Sequence, residues 1–328
     1  MPQTFPVTAA VELAVVERSG FIESRHSGSA VVLSPDGGST TFGDPAALIL
    51  PRSTLKPLQA LACLTAGAVL EGERLGLATA SHTGTDRHVA VVRSILEDAG
   101  ATEDDLGCPV AWPTDTATRD EMVRDHAAPA RVRMNCSGKH AAMLLACRAG
   151  GWDIAGYLDP AHPLQAHIRE VVERLTGEKP TTYAVDGCGA PVPAVSLIAL
   201  ARALQRMGTS SERSPFALHR HAATLIGAVR AHPWTIDGPG RPDTVVIERT
   251  GVFAKTGAEG VLVMIAPDGT TVALKMLDGS SRAASAVGLR LLERAGAVSS
   301  SDAEKAIGDL SLALHGGAAV VGSIRPTV

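Results

Sequence analysis

The sequence predicts an α+β fold, in which strands from both ends of the chain share one antiparallel sheet and helices fill the middle. Three observations carry this. Residues 8–34 alternate apolar and polar side chains as strands do. Segments 84–100, 117–127, 138–149, 163–176, 190–207 and 214–231 repeat their apolar residues at helical spacing, punctuated by Gly or Pro. Residues 261–266 and 271–276 flank Pro267-Asp268-Gly269-Thr270, the clearest hairpin signal in the chain.

Taken in order, the first strands are expected over 11–18, 21–25 and 28–34. Turns fall at Ser19-Gly20 and His26-Ser27-Gly28, and Pro35-Asp36-Gly37-Gly38 closes the set. The stretch Arg52-Ser53-Thr54-Leu55-Lys56-Pro57 then opens an apolar helix. Ser53 or Thr54 reads as its N-cap, and Pro57 falls in the first turn, where a missing N–H leaves no bond unmade. From Leu58 to Leu64 the pattern is that of a buried helix. After the helical middle and the hairpin come a helix over about 281–295 and a shorter one near 302–314. No repeat or low-complexity linker interrupts the chain. A sheet lobe (about 1–50 and 240–328) and a helical lobe (about 51–239) therefore form one folding unit.

Composition excludes several classes. With 328 residues, 45% hydrophobic but only 3% aromatic, the chain can bury a sizeable core built from Ala, Val and Leu. A net charge of −4 and the lack of a basic run argue against a nucleic-acid partner. No apolar stretch reaches the roughly 18 residues of a membrane span. The opening Met1-Pro2-Gln3-Thr4-Phe5-Pro6-Val7 has no signal-peptide pattern, so a cytoplasmic location is expected. Five cysteines do not make a disulfide framework. In a reducing compartment each is core, metal ligand or reactive thiol. Cys63 and Cys147 lie in apolar helical runs and read as core, Cys108 as loop.

Chemistry-bearing residues collect in five short segments. Ser53 and Lys56, three apart at a helix start, form a Ser-x-x-Lys pair, in which a neutral amine can take a serine proton. The pair is also compatible with a plain capping serine and a solvated lysine. Lysine usage favours the chemical reading: of thirty Lys and Arg only six are lysine, at 56, 139, 179, 255, 275 and 305. Arg cannot lose its proton, so a lysine kept against that bias points to a need for an amine. Lys179 and Lys305 read as surface, and Lys275 as the outward face of a strand. The second segment is Ser81-His82-Thr83-Gly84, otherwise a capped helix start. The third is Asn135-Cys136-Ser137-Gly138-Lys139-His140, and the fourth Asp186-Gly187-Cys188-Gly189-Ala190-Pro191. These two could build a zinc site, although Cys-x-x-Lys and Asp-x-Cys are not standard zinc pairs, or could hold two reduced thiols. From chemistry alone His140 is the more conventional ligand. The fifth, Lys255-Thr256-Gly257-Ala258-Glu259-Gly260, resembles the third motif of the serine β-lactamase and penicillin-binding superfamily. No Ser-x-Asn or Tyr-x-Asn second motif accompanies it.

Together, in this order, the five segments resemble the thermolabile, rhizobial-type L-asparaginases over essentially the whole chain. The resemblance implies a serine β-lactamase/glutaminase-like fold, hydrolysis of L-asparagine to aspartate and ammonia, and a homodimer. It implies two serine–lysine pairs, Ser53 with Lys56 and Ser81 with Lys255, and substrate contacts from Arg52, His82, Asn135 and Glu259. It further implies a zinc ion held by Cys136, Lys139 and Cys188, with Asp186 reached through water, and so moves the choice of nitrogen ligand from His140 to Lys139. Such a zinc would be structural or substrate-orienting and would not activate water. The rival readings are a glutaminase or β-lactamase-like hydrolase of the same fold, or a non-catalytic zinc or amino-acid binding protein.

Overall fold

Alternation from Val11 onward becomes a long hairpin in the structure, a computed structural model describing residues 2–328. Strands β1 (Val11–Arg18) and β2 (Phe21–Leu33) turn at Ser19-Gly20, and β3 (Ser39–Phe42) adds to β2. The expected turn at His26-Ser27-Gly28 is absent, because β2 runs straight through it. Gly28 serves close approach instead: a Cβ there would lie 2.2 Å from the Lys275 carbonyl oxygen of a neighbouring strand.

A short strand β4 (Leu48–Ile49) leads to the helical lobe. That lobe comprises α1 (Lys56–Thr65), α2 (Gly72–Ala78), α3 (Asp86–Ala99), α4 (Thr116–Arg124), α5 (Ser137–Gly150) and α6 (Pro163–Thr176). Short strands β5 (Tyr183–Val185), β6 (Pro191–Pro193) and β7 (Val195–Ser196) follow, then α7 (Leu197–Gly208), α8 (Ala217–Ala231) and α9 (Pro242–Thr250). The helix expected over 190–207 therefore starts only at Leu197. Its first residues pair as strands because Pro191 and Pro193 cannot donate within a helix. From Lys56 to Leu64 each residue of α1 is buried, and the helix packs on α5, α6 and α8.

The chain returns to the sheet with β8 (Phe253–Gly257), β9 (Val261–Ile265) and β10 (Thr271–Met276). Helices α10 (Ala284–Arg294) and α11 (Ser300–Asp309) follow, and β11 (Ala313–Gly316) and β12 (Ala319–Pro326) close the chain. The region expected to be helical up to residue 314 thus ends in a strand. The antiparallel sheet runs β11-β12-β1-β2-β10-β9-β8, with β3 paired to β2. Strands β9 and β10 are buried at each position, α7 and α10 both packing against them, so both sheet faces are covered. This corrects the expected outward position of Lys275. It is 8% exposed, and its Nζ donates to the carbonyls of Glu259 and Met276. Among the described residues no helix is long and apolar enough to cross a membrane. Strand β8 is the sheet edge that meets the helical lobe, packing on the turn before α1.

Candidate active site

At that junction the tight turn Arg52–Leu55 leads into α1. Neither Ser53 nor Thr54 caps the helix, contrary to expectation. Thr54 Oγ1 donates back to the Pro51 carbonyl at 2.7 Å, Arg52 takes left-handed backbone (φ 52°), and the helix begins at Lys56. Gly257 lets β8 approach this turn, since a Cβ there would sit 2.9 Å from Pro51 O and 3.3 Å from Ser53 N.

Lys56, 1% exposed, does not turn back to Ser53. Its Nζ bonds the Ala80 carbonyl and, at 2.9 Å, Ser81 Oγ. Among the described residues no hydrogen bond joins Ser53 to Lys56, so the expected first pair is not formed in this structure. Lys255, fully buried on β8, brings its Nζ to 3.0 Å from Ser81 Oγ and 2.6 Å from the Thr256 carbonyl. One serine oxygen thus lies between two buried amines. The amines are not equivalent. Asp243 lies 3.6 Å from Lys255 Nζ, whereas Lys56 has no carboxylate within ion-pair distance among the described residues. Burial pushes Lys56 down to about 8, helped by the charge of Lys255 and opposed by Cys136. A neutral Lys56 can accept the Ser81 proton.

A second cluster adjoins the first. Cys136 stands at the start of α5, and one turn on, Lys139 Nζ donates to Cys188 Sγ at 3.0 Å. Cys136 is held well below the usual thiol range by the Cys188 S–H and by the charges of Lys56 and Lys139, against the penalty of burial. Burial works against a charge on Lys139 as well, but the two sulfurs outweigh it and raise its pKa. Cys136 Sγ lies 3.1 Å from the Asn135 side-chain oxygen. A thiolate cannot donate there, so the Asn135 amide turned to offer its NH2 group is the arrangement this charge requires. Among the described residues no group of three or more His, Cys, Asp or Glu gathers as a metal site. The donor set here is two sulfurs and an amine. Its chemistry suits a borderline-soft cation, because the ammonium of Lys139 now occupies the role of the thiolate's counter-charge.

His140 points elsewhere, about 100° further round the helix. Its Nδ1 meets Tyr157 Oη at 2.6 Å, and that oxygen also accepts the Gly107 N–H. That bond commits Nδ1 to the fold, and Nε2 has no partner among the described residues. His82, expected at the substrate, is also committed to the fold. It is 1% exposed; Nδ1 accepts the Gly84 N–H and Nε2 donates to Ser137 Oγ at 2.9 Å. Burial and neighbouring His88 keep it neutral, and no ring nitrogen is left for a ligand. Asp186 pairs with Arg52 at 2.8 Å, an ion pair that ties the loop of Cys188 to the turn of Ser53.

The family model for L-asparaginase II matches residues 14–326. The chain belongs to the L-asparaginase II family. It is an amidohydrolase. No curated protein matches this asparaginase-family chain. Among solved structures, a probable glutaminase from Bacillus subtilis complexed with 6-diazo-5-oxo-L-norleucine is similar at 13% identity. It covers 82% of both chains with a TM-score of 0.40. A putative beta-lactamase from Bacteroides dorei is similar at 13% identity and a TM-score of 0.41, over 76% of this chain and 84% of that one. Mglu in its glutamate form gives 16% identity and a TM-score of 0.37. There the asparaginase-family chain covers 82% of its own length but spans 60% of the Mglu chain.

A cavity of about 520 Å³ lies beside the cluster, walled by Leu48, Leu50, Arg52, Glu259, Lys275 and Leu277 among others. Ser81 does not line it; Arg52 links its wall to the turn that carries Ser53. Glu259 is exposed there on left-handed backbone (φ 60°). Arg52 and Glu259 therefore offer opposite charges to one apolar cavity, Asn135 stays half-buried beside Cys136, and His82 drops out of the expected contacts. The sequence reading also missed Asp243, and it held Thr256 only as part of the Lys255-Thr256-Gly257 segment, without its tie to Asp243. The one available signal was the Pro242-Asp243 start of a helix that went unnoticed.

Proposed function

We propose that this chain is an L-asparaginase, hydrolysing L-asparagine to L-aspartate and ammonia through an acyl-enzyme. The single observation that carries the reading is Ser81 Oγ held at 2.9 and 3.0 Å from two buried lysine amines. Lys56, which burial biases toward the neutral amine, takes the Ser81 proton as Oγ attacks the side-chain amide carbonyl. The same proton then goes to the leaving nitrogen, which departs as ammonia, and Lys56 next activates the water that releases aspartate. Lys255, with Asp243 behind it, supplies a fixed positive charge for the developing oxyanion. Arg52 and Glu259, which wall the cavity, are suited to the substrate α-carboxylate and α-amino group, and Asn135, beside Cys136, would add a further contact.

Cys136, Cys188 and Lys139 would hold zinc, with Asp186 reached through water. Zinc when bound supplies a fixed positive charge that orients the substrate. Lys139 must lose its proton to ligate, so loading this site releases protons. A cytoplasmic location is supported by the five cysteines, all of them free. A homodimer belongs to the same proposal.

Ammonia release from asparagine and glutamine, measured beside the colour change of a chromogenic β-lactam, tests the substrate. Faster turnover of glutamine or lactam would replace asparagine as the substrate. Trapping with a diazoketone analogue of asparagine and mapping the adduct by mass spectrometry tests the nucleophile. An adduct on Ser53 would transfer the attack there and leave Ser81 as the proton relay.

A further inference from the structure

We propose that Asp243 is a positioning residue for this reaction, a buried carboxylate that holds Lys255 against Ser81 both by its charge and by its grip on Thr256. The inference rests on the proposed role of the Ser81 and Lys255 pair.

Asp243 lies in the first turn of α9 and is 1% exposed. An acidic residue there commonly serves its own helix, facing the free amides of the first turn. This one does not. Oδ2 accepts the Thr256 backbone N–H at 2.8 Å and Oδ1 accepts the Thr256 hydroxyl at 2.6 Å, while Arg241 at the N-cap makes no side-chain cap bond. Both oxygens are turned onto β8, one residue beyond Lys255. The Thr256 carbonyl, on that same residue, accepts one proton of Lys255 Nζ, Ser81 Oγ faces another, and Asp243 Oδ2 stands 3.6 Å away on the remaining side.

Two consequences follow from elementary electrostatics. A fully buried ammonium without a counter-charge is strongly disfavoured, and Asp243 supplies that charge. A lysine side chain has four rotatable bonds, and fixing the strand under it narrows where its nitrogen can go. Asp237 also bears on Lys255, its carboxyl pushed up to about 6 by burial and by Asp243, but among the described residues Asp243 is the carboxylate within ion-pair distance of the amine. The carboxylate thus touches neither substrate nor Ser81 and acts through Lys255.

Asp243→Asn and Asp243→Glu separate this role from plain packing. By packing alone the isosteric Asn disturbs a filled site least and the longer Glu most, so a merely structural role would leave Asn the more active variant. Charge positioning ranks them the other way in turnover. Asp243→Asn should lose about 10- to 100-fold in kcat at nearly unchanged KM, as outer carboxylates behind a reactive group do, and Asp243→Glu should recover part of it. The rate at which a fluorophosphonate labels the active serine, Ser81 or Ser53, should fall in the same order, and this readout does not depend on the substrate. A kcat higher in Asp243→Asn than in Asp243→Glu, or Asp243→Asn labelled within about 3-fold of the native rate, overturns the proposal. A native chain that is labelled but releases no ammonia from asparagine refutes the substrate, and Asp243 is then judged on labelling alone. A native chain labelled at neither serine overturns both.

Discussion

Raising the pH from about 7 to about 9 should speed asparagine hydrolysis roughly tenfold, because Lys56 acts only as the free amine. Burial lowers its pKa from the ordinary 10.5 to about 8. On that midpoint about a tenth of the molecules carry a neutral Lys56 at pH 7, half at pH 8 and nine-tenths at pH 9. Stability moves in the same direction. The folded pKa lies below the unfolded one, so between about 8 and 10.5 the unfolded chain binds the extra proton and the fold gains as pH rises. Because the two trends run in parallel, circular dichroism at each pH separates loss of fold from titration of the base. Ammonia release at subsaturating asparagine, followed from about pH 6 to about pH 9.5, gives the midpoint. Cys136 offers a second arm, since its negative charge raises the pKa of Lys56. Cys136→Ser should move the midpoint further toward acid, with kcat/KM at neutral pH less dependent on pH. A native profile flat across pH 6 to 9, or one that Lys56→Arg reproduces, would refute the assignment of Lys56 as base.

Ser81→Ala and Lys56→Arg should each lose well over about 100-fold in turnover while circular dichroism reports an intact fold; an active Lys56→Arg enzyme removes the need for a neutral amine there. Chelation of zinc should raise KM more than it lowers kcat, and elemental analysis of carefully purified protein should find the metal. Absence of zinc together with a fully active Cys136→Ser enzyme would discard the ligand set. His82→Ala should lower stability by about 1–3 kcal/mol, since it leaves the Gly84 amide and the Ser137 hydroxyl short of partners in the interior. Its KM should stay unchanged, and a large rise in KM would return His82 to the substrate.

How far the sequence discloses this site depends on what each residue does. The hairpin after Val261 and the helix behind Lys56 were legible because burial writes itself into apolar periodicity, and all five polar segments end up around two adjoining clusters. The resemblance pairs Ser81 with Lys255, and the two stand 3.0 Å apart, but the capture of Lys56 by Ser81 was not legible. A Ser-x-x-Lys spacing says that Ser53 and Lys56 share a face, but a lysine reaches past its own turn, and the Ala80 carbonyl and Ser81 hydroxyl capture the amine. Asp243 was invisible because its partners lie on a strand met later in the chain, and nothing in Arg-Pro-Asp-Thr records them. Gly28 was read as a turn since glycine permits turns, whereas here it makes room for Lys275 O across the sheet. The strands β11 and β12 escaped notice because their side chains are mostly exposed, so no apolar alternation marks them.

The central strand β2 pairs on one side with β1, its immediate neighbour in sequence, and on the other with β10, about 240 residues later. At a synthesis rate of about 5–20 residues per second, the apolar edge Ala30-Val31-Val32-Leu33 leaves the ribosome some 12–48 s before the strand that will cover it. During that interval a nascent chain carries a finished hairpin with an open, sticky side, the kind of surface that chaperones bind and that neighbouring chains on one messenger can zip together. The lysine that completes the cluster at Ser81 emerges just ahead of that covering strand. On the proposed role of Lys255, chains that stop short of β8 should be catalytically silent, and the far edge of β1 stays open longer still, until β12 emerges.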